Sequence, residues 1–256
     1  MTRNAVRLRK RGAEPLLDAV SEEAWGRSDV GVVPAGIERW GGLGDAAQRA
    51  IDAETWRDLT DETPDLISPY PHVVAVDRSP VSGVYAIAGA VRTRSGGIHI
   101  EVGYSQKASP TEVVERLLDI VTDANPAALL IDSRSPATVL VPYLAQCGIE
   151  ATVLNTSESA IAAEAFVSAV DAGAGQLTHS GQEILTDSVV AGIKRPLNGG
   201  RFTFDCAPGG MITQLVAPSL AHYGALVQAP VVPKKTPLPM TAPPDNDGPS
   251  IMTRPF

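Results

Sequence analysis

Two short apolar runs that each end on an aspartate, HVVAV before Asp77 and AALLI before Asp132, restrict the folds open to this chain more than any other feature. Short apolar runs bounded by polar residues predict buried strands. A side chain at the carboxyl end of such a strand sits on the edge where open α/β sheets bind ligands. Between the two runs lies 83–91 (GVYAIAGAV), small and apolar. Ser95-Gly96-Gly97 then signals a turn, and Ile98, Ile100, Val102 and Tyr104 alternate along a third strand. The turns are short, which predicts an antiparallel meander. A helix follows. Ser109 suits its N-cap, Pro110 its first position and Glu112 its positive end, and Val113, Val114, Leu117, Leu118 and Val121 recur at helical spacing. Asn125-Pro126 stops it.

Beyond Asp132 the sequence predicts a helix over 136–147 closed by Gly148, a strand over 149–154, helices over 157–172 and 182–193, a brief strand over 201–204 and a last helix over 212–226 with Pro218 inside it. A three-strand meander followed by helix–strand–helix–strand is the order of an RNase H-like (RuvC-type) α/β fold, a mixed sheet with helices on both faces. Right-handed crossovers limit the layouts. Residues 72–226 form this dense zone. Ahead of it, 1–71 carries Trp25, Trp40 and Trp56, a helix former within 47–61 and a proline-punctuated connector over 64–71. Behind it, 227–256 is proline-rich and is expected to be disordered. No apolar run of about 18 residues is present, so no membrane span is expected. The basic cluster from Arg3 to Arg11 precedes no apolar stretch and does not read as a signal peptide.

If the strands ending at Asp77 and Asp132 are neighbours, their ends lie about 4.8 Å apart. Two carboxylates there can hold Mg²⁺ or Mn²⁺ for two-metal phosphodiester hydrolysis, with ions roughly 3.5–4 Å apart. The plainer reading is that both aspartates merely terminate strands. Charge weighs against a protein that grips nucleic acid unaided: the chain is at −8, and 72–226 has nine Lys/Arg against fourteen Asp/Glu. Lys194 and Arg195 fall at a predicted helix end, where they offset the dipole or touch phosphate. His179 reads as a turn residue, with a catalytic base as the alternative. Cys147 and Cys206 lack the spacing of a zinc site or a reactive thiol, and Ser79, Ser133 and Ser135 have no nucleophile frame.

Several segments resemble one family. VVAVDRSP at 73–80, LLIDSRSPATVLVPYLAQCGIE at 129–150, the long run 154–197 and RFTFD followed by ITQLVAPSLAHYGAL look like the C-terminal nuclease domain of terminase large subunits from tailed phages of the actinobacteriophage type. IDAETWRDL at 51–59 resembles the segment that precedes that domain, so the likeness covers roughly 47–226. It implies an RNase H-like, metal-dependent endonuclease that cuts concatemeric phage DNA during packaging. Asp77 and Asp132 would ligate Mg²⁺ or Mn²⁺, two ions in the family pattern. The implied partners are double-stranded DNA, the terminase ATPase, the small terminase subunit and the portal. The implied place is the host cytoplasm, outside the mature virion. Met211 stands where the family has a third aspartate, with Asp205 the candidate substitute. Gln214 and Pro218 also depart from the pattern. No G-x-x-x-x-G-K-[ST] phosphate loop is present, so the ATPase motor is expected on another polypeptide, unless this is a truncated copy. Two alternatives stand beside this: a catalytically impaired docking module of a split terminase, and another RNase H-like enzyme of resolvase or transposase type.

Overall fold

The apolar register of the first meander strand sets up the whole sheet. In the computed structural model, which describes residues 49–228, β1 (Val73–Arg78) pairs antiparallel with β2 (Val84–Arg92), and β2 with β3 (Ile98–Lys107). The β1–β2 turn is closed by Ser79, whose hydroxyl accepts from the Ser82 N–H and whose N–H donates to the Val84 carbonyl. The expectations for the basic N-terminus, Trp25, Trp40 and the proline-rich 229–256 lie outside the described residues.

Two helices and two short strands extend the meander. Taking a short N-terminal helix as α1 (Ala53–Arg57), α2 (Pro110–Ala124) opens on a reciprocal Ser109–Glu112 capping box and ends at Asn125 in the left-handed conformation. β4 (Ala128–Asp132) then lies parallel to β1. A 3-10 turn (Pro136–Leu140) and α3 (Val141–Gln146) lead to β5 (Thr152–Leu154), parallel to β4. α4 (Thr156–Ala172) starts with an Asn155–Glu158 capping box. β6 (Leu177–His179) pairs parallel with β3. α5 (Glu183–Ala191), the β7 (Gly192–Pro196)–β8 (Phe202–Cys206) hairpin and α6 (Thr213–Val227) complete the chain order. The sheet runs β5-β4-β1-β2-β3-β6, and its first five strands have the RNase H-like order.

Alternation along β1 and β4 divides the core in two. Val74, Val76, Leu129 and Ile131 pack against Val113 and Leu117 of α2 and Leu144 of α3. Val73, Ala75 and Leu130 face the other way, toward Phe166 and Val170 of α4 and Leu215 and Leu220 of α6. Helices therefore cover both faces, as the strand pattern predicts. Gly224 lets α6 lie close to the sheet. A Cβ there would stand 2.6 Å from both Leu130 Cδ1 and Val73 Cγ1.

Several elements differ from the sequence expectation. The helix expected over 136–147 is a 3-10 turn and one short α-helix, because Pro142 supplies no N–H to the ladder. The helix expected over 182–193 stops at Ala191, and Lys194 and Arg195 lie on strand β7. The missed signal was Asn198-Gly199-Gly200. Both glycines have positive φ, and they turn the chain from β7 into β8. His179 ends a buried strand instead of sitting in a turn. Asp77 lies within β1, one residue before its end.

The residues just before the connector belong to the core. Ala50, Ile51, Trp56 and Leu59 join the α4–α6 cluster, and Ala50 donates to the Gly192 carbonyl at 3.0 Å. The Trp56 ring stacks on the His179 imidazole with centroids 4.0 Å apart.

Candidate functional site

Val76 of β1 stands beside Ile131 of β4 in a parallel register. The next residue on each strand is an aspartate, so Asp77 and Asp132 stand side by side at the carboxyl edge of the sheet. Both are over nine-tenths buried. They form the floor of a cleft of about 870 Å³ bounded by 79–82, by Thr203 and Phe204 of β8 and by 206–213.

The two carboxylates have different surroundings. Burial pushes the Asp77 carboxyl up to about 7. Hydrogen bonds from the Ser135 hydroxyl and the Arg78 N–H pull it down, and the charge of Asp132 raises it further. Ser135 is buried, caps the 3-10 turn through the Ala137 N–H and also accepts from the Arg78 N–H at 3.2 Å. Asp132 is held by one neighbour through both oxygens. The Arg134 N–H donates to Oδ1 at 2.9 Å, and the Arg134 guanidinium lies 3.6 Å from Oδ2.

Cations gather here although the surrounding domain is acidic. The charged residues lining the cleft are Arg78, Arg134 and Arg195 against Asp77 and Asp132, three positive to two negative. The Arg78 guanidinium packs over the Tyr85 ring at 5.0 Å. Arg195 reaches the cleft from β7, while Lys194 on the same strand turns to the Phe202 ring at 4.9 Å.

The third carboxylate position is filled by a thioether. Met211 lines the cleft, and Asp205 is not among its lining residues. The Asp205 carboxylate lies 3.7 Å from Arg195 and accepts from the Cys206 N–H at 2.9 Å. Among the described residues no group of three or more His, Cys, Asp or Glu side chains is arranged to hold a metal ion. Asp77 and Asp132 nevertheless fit a hard divalent cation as a donor set. They are two adjacent buried carboxylates, all oxygen, lining an open cleft, and such ions commonly use one or two carboxylates with water and phosphate oxygens.

His179 is not positioned as a base. Its Nδ1 accepts from the Gly181 N–H at 3.0 Å, so Nε2 carries the proton and donates to the Trp56 carbonyl at 2.9 Å. Both nitrogens are occupied, and burial lowers its pKa. Sequence reasoning missed Ser135, Arg134 and Thr203 as parts of the site. Ser135 before Pro136 is an N-cap signal that places its hydroxyl beside Asp77. Thr203 reaches the cleft only through the β7–β8 hairpin, a contact that nothing in its own segment announces.

The fold matches large terminase nuclease domains. The large terminase of bacteriophage HK97 superposes at a TM-score of 0.53 with 14% identity, over 69% of this chain and 43% of that one. The match thus spans under half of that longer protein. The large terminase nuclease of thermophilic phage G20c with bound magnesium gives 0.53 and 14% over 68% of this chain and 96% of that one. A mutant nuclease domain of the large terminase subunit of bacterial virus Sf6, with manganese, gives 0.51 and 14% over 68% and 98%. No protein-family model matches the sequence, and comparison with curated proteins finds no match. Among the described residues no helix is long and apolar enough to cross a membrane.

Proposed function

We propose that this chain is the nuclease module of a tailed-phage terminase large subunit, cutting concatemeric duplex DNA during packaging, with Asp77 and Asp132 holding a divalent cation. One observation carries the reading: two buried aspartates stand side by side on β1 and β4 at the floor of a cleft lined by three arginines. The RNase H-like sheet and the magnesium- and manganese-bound neighbours support it.

Each residue has a distinct task. Asp77 and Asp132 would hold Mg²⁺ or Mn²⁺, which when bound would supply charge neutralisation at the phosphate and a more acidic attacking water. Asp77 would release its proton to solvent on ligating the cation, and the Ser135 hydroxyl would hold the resulting carboxylate in place. Arg78 and Arg195 attract the DNA backbone into the cleft, with Lys194 on the outer side of the same hairpin. The pair would supply the protein's carboxylate ligands to such a cation, with water completing its sphere. The motor ATPase, the small subunit and the portal complete the machine, and the acidity of this domain leaves much of the DNA affinity to them.

The test is cleavage of duplex DNA by the purified full chain. Cutting in Mn²⁺ or Mg²⁺, none in EDTA, and none in Asp77→Asn or Asp132→Asn at unchanged circular dichroism is the expected result. Cleavage that survives EDTA or either substitution refutes the assignment. A second reading is favoured by Met211: a packaging module that docks on the motor without cutting. A wild-type chain that neither binds Mn²⁺ nor cleaves supports that reading instead.

A further inference from the structure

Arg134 engages both oxygens of the Asp132 carboxylate, its N–H on Oδ1 and its guanidinium beside Oδ2. The same Nη2 donates to the Thr203 hydroxyl at 3.2 Å, across the cleft on β8. The side chain is about one-third exposed, so its head can move without unpacking the core. A hard cation binding Asp132 needs an oxygen that the guanidinium now neutralises, and two positive groups on one carboxylate oxygen repel.

We propose that Arg134 is a built-in competitor for the cation at Asp132, and that once displaced it becomes a DNA-phosphate ligand, pivoting on Thr203. The inference rests on the metal reading above. A guanidinium offers a planar fork of donors that fits phosphate oxygens, and Thr203 keeps the displaced head on the wall of the cleft. The exchange ties the two events together: cation entry frees the arginine that then grips the DNA. Arg134 therefore weakens the empty site for metal and strengthens the loaded site for DNA.

Two readouts that do not depend on cleavage test this. Calorimetric titration with Mn²⁺ of the full chain without DNA should show Arg134→Ala binding tighter than wild type by about two- to fivefold, the scale of one exposed charge contact. Arg134→Lys, which keeps the charge, should stay near wild type. Binding of a short duplex DNA in Ca²⁺ should be weaker in Arg134→Ala, with the slope of log affinity against log salt reduced by about one. Thr203→Val should weaken DNA binding in the same direction while leaving the core intact. Mn²⁺ affinity unchanged or weakened in Arg134→Ala overturns the competitor role, and an unchanged salt slope overturns the phosphate role. A wild type that binds no Mn²⁺ overturns the metal reading as well, whereas normal wild-type binding with an indifferent Arg134→Ala overturns this inference alone.

Discussion

The Met211 thioether sulfur lies 3.7 Å from the Ser82 hydroxyl, so an uncharged side chain lines the cleft that Asp77 and Asp132 share. Cation affinity rises with the number of charged oxygen ligands. Met211→Asp is expected to tighten Mn²⁺ binding about tenfold and to raise the rate of DNA cleavage. The new carboxylate also lies just ahead of α6, where negative charge is favourable, so folding should not suffer. Asp205→Ala should leave both nearly unchanged, because that carboxylate is engaged with Arg195 and the Cys206 N–H. Calorimetry and a cleavage assay on the two variants check this pair.

Asp77→Asn is expected to stabilise the metal-free protein at alkaline pH. The carboxyl is pushed up to about 7 in the fold from an ordinary 3.8. Between those values the folded state keeps a proton that the unfolded chain releases. The stability contributed by this group is therefore full below 3.8 and is lost as pH rises through about 7. In EDTA the variant should melt above wild type at about pH 8, and the gap should close at about pH 4. Mn²⁺ should reverse the order at high pH, since wild type alone gains the ligand's binding energy. Thermal melts at the two pH values, with and without Mn²⁺, measure both effects.

How much of this was legible in the sequence depended on whether the signal was local. β1 to β4 and α2 were readable because alternation, caps and turn residues all lie within the segment itself. Asp77 and Asp132 followed, since each ends an apolar run. The hairpin was hidden because 182–193 has helical spacing of apolar residues right up to the stop at Ala191, and Asn198-Gly199-Gly200 was the only mark of the reversal. β6 was hidden by its brevity and by pairing with β3, distant in sequence. Trp56 sits in the segment ahead of the connector, yet its partner His179 lies far along the chain, and nothing local announces that stack.

Acid should destabilise the fold through His222. Burial, with the charge of Arg92 adding to it, lowers its pKa from 6.5 to about 4. The unfolded chain takes up a proton that the fold refuses, so stability from the neutral imidazole is present above 6.5 and is lost as pH falls toward about 4. The effect is up to about 3 kcal/mol. His222→Leu should show a flatter decline over that window in pH-dependent denaturant melts. An equal slope in both proteins contradicts the assignment.

Gly224→Ala should destabilise by about 1–3 kcal/mol, the usual range for an overpacked core. The added methyl meets Leu130 and Val73 at 2.6 Å, and both sit on the strands that carry the aspartates. Urea melts give the loss directly. A neutral effect shows that α6 does not press on β1 and β4 as closely as described.

In the proposed function, Asp77 and Asp132 together hold a divalent cation. Anomalous diffraction at the manganese edge from crystals soaked in Mn²⁺ tests it most directly. A peak in contact with both carboxylates, absent from Asp77→Asn and Asp132→Asn crystals, is expected. No peak at the pair, or one that persists in either variant, contradicts it.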